Sequence, residues 1–160
     1  MQPDKLGVLE LQGFMQDRGI RGEILRLDVP TPTVEAAAHA VNAQPEQIIK
    51  SILFIVGEQP VLAIACGLAT IGRRAIADLY GVGKKRVKLA TPEKVVEISG
   101  YEVGAMPPFG HRQPLSTLID RRVLEITEAY AGGGAENALV RLDPVEIQRA
   151  SGAKILDLLE

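Results

Sequence analysis

The segment IIKSILFIVGEQPVLAIAC, residues 48–66, decides the fold class. Two apolar, β-branched runs, IIKSILFIV and VLAIAC, flank the short glycine–proline turn GEQP, and the simplest structure they form is an antiparallel hairpin. On the first run Ile48, Ile52 and Phe54 fall on one pleat face, and Ile49, Leu53 and Ile55 on the other. Both faces are apolar, which predicts a strand covered on both sides. Lys50 interrupts the first face. An ammonium there is costly unless it meets an anion or reaches water. Lys50 therefore either snorkels from the first residues of the strand or binds an anionic ligand.

Upstream of the hairpin, residues 3–18 read as an opening helix, with Val8, Leu11 and Met15 at helical spacing and Gly19 after it. EILRL follows as a short strand, and TVEAAAHAVN as a second helix capped by Thr33, with Val34, Ala37, Ala38 and Val41 in one stripe. Downstream, residues 69–80 form a third helix with Ile71, Ala75 and Leu79 inward and Gly81 at its end. In ATPEKVVEISG, Thr91 caps a helix, Pro92 sits in its first turn and Gly100 closes it. LSTLI and VLEIT flank DRR as a second hairpin, and ALVRL supplies another strand. Asp143 and Pro144 start a last helix that reaches Ala150 and stops at Gly152, and the tail AKILDLLE reads as strand or helix. Two hairpins joined by helices, rather than regular βαβ units, predict an α+β fold with a mixed, largely antiparallel sheet, one domain over residues 1–160.

Composition agrees with a soluble globular chain: 160 residues, 46% hydrophobic and 24% charged. A chain of that length buries roughly 70% of its unfolded surface without a staple. With a net charge of -2, any grip on an anionic partner has to come from a local patch. No apolar run approaches the ~18 residues of a membrane span, and MQPDKLGVLE lacks a signal-peptide pattern, so the cytosol is the expected location and a membrane is not an expected partner. The single cysteine, Cys66, excludes an internal disulfide and a cysteine-built zinc site. His39 and His111 have no partners at metal-ligand spacing, so neither a metal nor a cofactor is expected.

YEVGAMPPFGHRQP, residues 101–114, is too stiff for an ordinary connection. Gly104 and Gly110 bracket two consecutive prolines, which fix the backbone and remove two N–H groups. Such a segment is either a rigid surface turn or a nest that aims the N–H groups of Gly104, Ala105 and Met106 at a ligand oxygen. GKKRVK places Lys84, Lys85, Arg86 and Lys88 within five positions, either as a solvated face or as a phosphate contact. AGGGAEN, residues 131–137, has the backbone freedom for close approach but not the P-loop pattern. No nucleophile elbow or Ser/His/Asp order is present, so a hydrolase built on this chain would lack the usual side-chain base and nucleophile.

In order and spacing these stretches resemble the YbaK and prolyl-tRNA synthetase editing-domain family over about residues 30–150. TPTVEAAAHAVNAQPEQIIKSILF looks like its helix leading into a strand with one lysine. GYEVGAMPPFG looks like its Gly-x-x-x-Pro element, with Gly104 and Pro108 as the ends, and AGGGAENALVRLDP like its late glycine turn and final strand. Pro114 and Asp120 fall where the family places a proline before a strand and an aspartate at its turn. The resemblance implies a trans-acting aminoacyl-tRNA deacylase that removes a small amino acid such as alanine or cysteine from proline tRNA. Lys50 would hold the terminal adenosine at its phosphate, and backbone N–H groups around Gly104 would face the ester. Thr33, Ala105, Met106, Pro107, Pro108, Phe109, Gly110, Asp120 and Gly133 would surround the substrate, and Lys84, Lys85, Arg86 and Lys88 would meet the RNA. The ribose 2′-hydroxyl, or the thiol of a cysteinyl substrate, would replace a protein base. Aminoacyl-tRNA is the implied partner, with room for an aminoacyl-tRNA synthetase beside it. Pro107 departs from the pattern: relatives often carry a small hydroxyl residue there, and proline offers neither hydroxyl nor N–H. That departure is what an alternative, non-catalytic tRNA- or synthetase-binding module would explain. A third reading makes Lys50 a Schiff-base nucleophile toward a small carbonyl compound.

Overall fold

The computed structural model describes residues 4–160. Along the chain the elements are α1 (Val8–Arg18), β1 (Glu23–Arg26), α2 (Val34–Val41), β2 (Ile49–Val56), β3 (Gln59–Cys66) and α3 (Arg74–Tyr80). These are followed by β4 (Val87–Leu89), α4 (Pro92–Ser99), β5 (Ser116–Asp120), β6 (Ala129–Gly132), β7 (Ala138–Leu142), α5 (Val145–Ser151) and β8 (Lys154–Leu156). The class is α+β, as the sequence predicts.

The predicted hairpin is the centre of the molecule. β2 and β3 pair antiparallel, with Ile49 opposite Cys66 and Lys50 opposite Ala65. They occupy the middle of a mixed five-stranded sheet in the order β4-β2-β3-β5-β8, in which β5 runs parallel to both β3 and β8. A separate antiparallel sheet, β1-β7-β6, meets the first through a bridge between Ile48 and Tyr130.

Both hairpin faces are covered, which explains the apolar residues on each. Ile49, Leu53, Leu62 and Ile64 pack with Leu11 and Met15 of α1, Val95 of α4 and Ile147 of α5. On the other side Phe54, Val61 and Ala63 pack with Ile76 and Ala77 of α3 and with Leu158. Leu62 and Ile64 are fully buried, so truncating either to alanine costs about 2–5 kcal/mol. A smaller cluster sets Ala37 and Ala38 of α2 against Ile48, Tyr130 and Leu139.

Several expectations are corrected. The opening helix starts at Val8, because Gly7 is extended and donates its N–H to Glu10 Oε1 at 2.7 Å; residue 3 of the expected span lies outside the described residues. The third helix starts at Arg74 rather than 69. The residues before it are drawn out against the C-terminal segment, with Gly72 N–H donating to Leu158 O at 2.8 Å and Glu160 N–H to Thr70 O at 3.0 Å. Its buried residues are Ile76 and Ala77; Leu79 packs half-buried against the same cluster and Ile71 is buried, both as expected, while Ala75 is only half-buried. No second hairpin forms around DRR. The buried Asp120 carboxylate accepts the Arg122 N–H at 3.0 Å and starts a 3₁₀ turn over Arg121–Glu125, leaving β5 to pair in parallel. The ambiguous tail supplies the edge strand β8.

Candidate functional site

The carboxyl ends of β3 and β5 and the first residues of β2 come together at one end of the central strands of the five-stranded sheet. Crevices at the carboxyl ends of parallel strands are where open sheets bind ligands. Lys50 stands there, half-buried, with its Nζ donating to the carbonyl oxygen of Ala69. No carboxylate pairs with it among the described residues. Burial lowers the pKa of its ammonium, and the neighbouring Cys66 works weakly the other way. Burial likewise pushes the Cys66 thiol up, with Asp120 adding to it. A half-buried cation without an anion is a site at which an anionic ligand recovers an electrostatic loss.

The proline loop is fixed from three directions. His111 Nε2 bonds Pro107 O at 2.8 Å, which places the imidazole proton on that nitrogen, and burial lowers the ring's pKa so that it stays neutral. The Phe109 ring stacks on Phe14 at 5.9 Å, and Gly110 takes a φ of 77° that an L side chain rarely adopts. From the third side comes the glycine turn after β6. A Cβ on Gly132 would lie 2.0 Å from Met106 O, and one on Gly133 would lie 2.6 Å from the Ala138 carbonyl carbon. Gly134 N–H donates to Ala105 O at 3.0 Å. Gly132 and Gly134 thus serve a backbone-to-backbone contact with the loop, and Gly133 a close approach to β7.

Ala105, Met106, Pro107, Pro108 and Phe109 are buried by this packing, whereas Gly104 is exposed and has open space at its Cβ position. The Ala105 N–H is spent inside the 3₁₀ turn, on Glu102 O at 3.0 Å. The N–H groups of Gly104 and Met106 make no such contact among the described residues. Of the three N–H groups expected to face a ligand oxygen, that of Ala105 is therefore already committed.

Other expected site residues are engaged elsewhere. Thr33 Oγ1 accepts from Ala36 N–H at 3.0 Å and caps α2. Asp120 is fully buried, with its oxygens taken by the N–H groups of Leu158 (2.8 Å) and Arg122 (3.0 Å). It braces the turn and the C-terminal segment. Lys84, Lys85, Arg86 and Lys88 are exposed and have no acidic partner among the described residues. They lie toward the far end of β2: Lys88 pairs with Ile55, five residues or about 17 Å along the strand from Lys50.

One residue escaped the sequence reading. A recess of about 160 Å³ opens between β2, β4, α4 and the loop, lined by Ser51, Leu53, Leu89, Val95, Val103 and Met106. β2 contributes Ser51, Ile52 and Leu53 to this recess, and Lys50 does not line it. The Ser51 Oγ is shielded from solvent and has no hydrogen-bond partner. The available signal was a hydroxyl on the otherwise apolar face of Ile49, Leu53 and Ile55. Among the described residues no group of three or more His, Cys, Asp or Glu could hold a metal ion, and no helix is long and apolar enough to cross a membrane.

The fold and this loop-and-turn arrangement define an editing domain. A crystal structure of a protein proposed as a trans-editing enzyme for prolyl tRNA synthetase superposes with a TM-score of 0.88, at 33% identity over 96% of each chain. Residues 28–150 match the aminoacyl-tRNA editing domain, and the chain belongs to that family. It is also 25% identical over 134 residues to the uncharacterized protein YwhH of Bacillus subtilis, covering 83% of both chains. A proline–tRNA ligase of Streptococcus gordonii is 25% identical over 139 residues, which are 86% of this chain but 22% of the ligase.

Proposed function

We propose that the protein is a trans-acting aminoacyl-tRNA deacylase, a single editing unit that hydrolyses the ester of a mischarged tRNA. The substrate class is a small amino acid such as alanine or cysteine carried on proline tRNA. The observation that carries this reading is the exposed Gly104 at the head of the buried run 105–109 of a braced loop, beside a small recess. An ester carbonyl seated at the Gly104 N–H would have its developing negative charge met by a donor that needs no reorganisation, a contribution on the order of 3 kcal/mol per donor. Water attacks the carbonyl carbon and the ribose oxygen leaves, giving free amino acid and tRNA. The neighbouring 2′-hydroxyl orients the water, while His111, the imidazole of the loop, is engaged with Pro107 O.

Lys50 takes a phosphate oxygen of the terminal adenosine, exchanging its carbonyl partner Ala69 for an anion and so recovering what burial costs it. Lys84, Lys85, Arg86 and Lys88 hold phosphates further along the acceptor end. Asp120 and Thr33 act on the substrate only through the segments they fix. The test is a deacylation screen of the purified protein over a panel of mischarged tRNAs. Release of alanine or cysteine from proline tRNA is expected, and no turnover on any ester rejects the reading.

A second reading has an observation of its own. Pro107 offers neither hydroxyl nor N–H, and Ala105 N–H is already spent, so the loop presents few donors. A tRNA- or synthetase-binding module would bind aminoacyl-tRNA with salt-sensitive affinity and release no amino acid.

A further inference from the structure

Asp120 is the only carboxylate at 0% exposure among the described residues, and burying a charge is costly unless its hydrogen bonds repay the lost water. Those bonds point along one line. β8 pairs with β5 as far as Leu156, which stands opposite Asp120. Two residues on, Asp120 Oδ1 accepts the Leu158 N–H at 2.8 Å, so the carboxylate carries the pairing past the end of the strand. Leu158 O in turn accepts the Gly72 N–H at 2.8 Å, and the Glu160 N–H donates to Thr70 O at 3.0 Å, on either side of the Ile71–Leu159 bridge. The next residue back is Ala69, whose carbonyl oxygen accepts from Lys50 Nζ. At its other end this segment is tied by the Gly67 N–H to Ile48 O at 3.0 Å. Between the two anchors neither Leu68 nor Ala69 makes a backbone–backbone hydrogen bond among the described residues.

We infer that Asp120 is a positioning residue for Lys50: through residues 158–160 it sets where Ala69 O stands, and so where the ammonium waits for its phosphate. The inference rests on the deacylase reading above for what Lys50 holds, and on the hydrogen bonds alone for how it is held. A lysine side chain has much rotamer freedom to lose. A fixed carbonyl takes that freedom away before the nucleotide arrives, so less is lost on binding.

The experiment removes one link at a time. Glu160→Pro deletes the N–H that reaches Thr70 O, whereas Glu160→Ala removes the same side chain and keeps that N–H. Glu160 is exposed, and Leu159 lies in a bridge, where an extended backbone suits the residue before a proline. Asp120→Asn keeps the shape, but its single amide oxygen replaces two acceptors. The readouts are the proton–nitrogen NMR signal of Lys50 Nζ and the affinity for 3′-alanylamino-3′-deoxyadenosine 5′-phosphate, a non-hydrolysable analogue that carries the phosphate. Glu160→Pro and Asp120→Asn should each move the Nζ signal and weaken binding roughly tenfold, and Glu160→Ala should do neither. In a Lys50→Met background neither change should weaken binding further, whereas a merely structural role would weaken it equally with or without the lysine. An Nζ signal unmoved in Glu160→Pro overturns the inference, as does one moved there but not in a folded Asp120→Asn. Should Asp120→Asn fail to fold, the Glu160 pair and its Lys50→Met counterpart decide alone. A moved signal in a protein that hydrolyses no ester leaves the inference standing and rejects only the deacylase reading.

Discussion

The His111 ring holds the carbonyl oxygen of Pro107 through an Nε2–H···O bond of 2.8 Å, four residues back along the same loop. Proline cannot reciprocate with an N–H, so this bond and the packing beneath it set where the loop backbone points. Replacing His111 by alanine leaves the Pro107 oxygen without its donor and opens space below it. We expect a loss of about 2 kcal/mol or more in urea unfolding, and a fall in kcat larger than any change in KM.

The same histidine carries a pH dependence. Burial depresses its folded-state pKa below the usual 6.5, so the unfolded chain binds the proton more readily. Stability is then fully present above about 6.5 and is lost as pH falls from there through the folded value. Unfolding curves at pH 7.5 and 5.5 should show a decline in the wild type that is smaller in His111→Phe. Equal declines in the two proteins would show that another group titrates.

Gly132 and Met106 make a second prediction. A Cβ at 2.0 Å from a carbonyl oxygen cannot be accommodated by a side-chain rotation, because both partners are backbone. Gly132→Ala should cost about 3 kcal/mol, the upper end of the usual overpacking penalty. Gly104→Ala, with open space at its Cβ position, should leave the unfolding midpoint within about 0.5 kcal/mol of the wild type. Its activity should fall, because the added methyl stands where the ester approaches. A Gly104→Ala variant with full activity would move the ester away from this loop.

Lys50 separates nucleotide binding from folding. Its ammonium bonds one carbonyl and no carboxylate, so Lys50→Met should fold with little change in Tm while hydrolysis is lost. Because burial lowers its folded-state pKa from 10.5, the wild type gains stability as pH rises toward that value, and Lys50→Met lacks this gain. Full turnover in Lys50→Met would remove the phosphate role. Borohydride treatment with small carbonyl compounds should add no mass at Lys50, and a trapped adduct would revive the Schiff-base reading.

The legible parts of the fold were those whose signals are local. The β2–β3 hairpin shows in its two apolar faces, and Thr33 and Thr91 announce their helices because a cap is completed within three residues. β5 was misread as half of a hairpin because the decisive contact is distant: Asp120 Oδ1 accepts the N–H of Leu158, 38 residues later. β6 lay hidden in glycines whose purpose, the approach to Met106 O, is a backbone contact with no side-chain pattern. Within the candidate site, Lys50 and the proline loop stood out by residue type. Ser51 did not, since a serine becomes informative only when its hydroxyl is seen to be unpaired.

The basic run closes the set of tests, and distance makes it a clean one. Lys84, Lys85 and Arg86 sit on an exposed turn before β4, at the edge of the sheet opposite β8 and about 17 Å along β2 from Lys50. Groups so placed touch phosphates and not the reacting ester, so neutralising all three should raise KM with kcat unchanged. Each lost phosphate contact should also reduce the slope of log affinity against log salt by about 0.7–0.9, so the triple variant flattens it by roughly 2–3. Lys154 on β8 is equally exposed but lies on the opposite edge, and Lys154→Ala should leave both quantities as they are. Equal effects from the two changes would mean that tRNA senses only net charge. An unmoved KM and salt slope in the triple variant would place the RNA on another face.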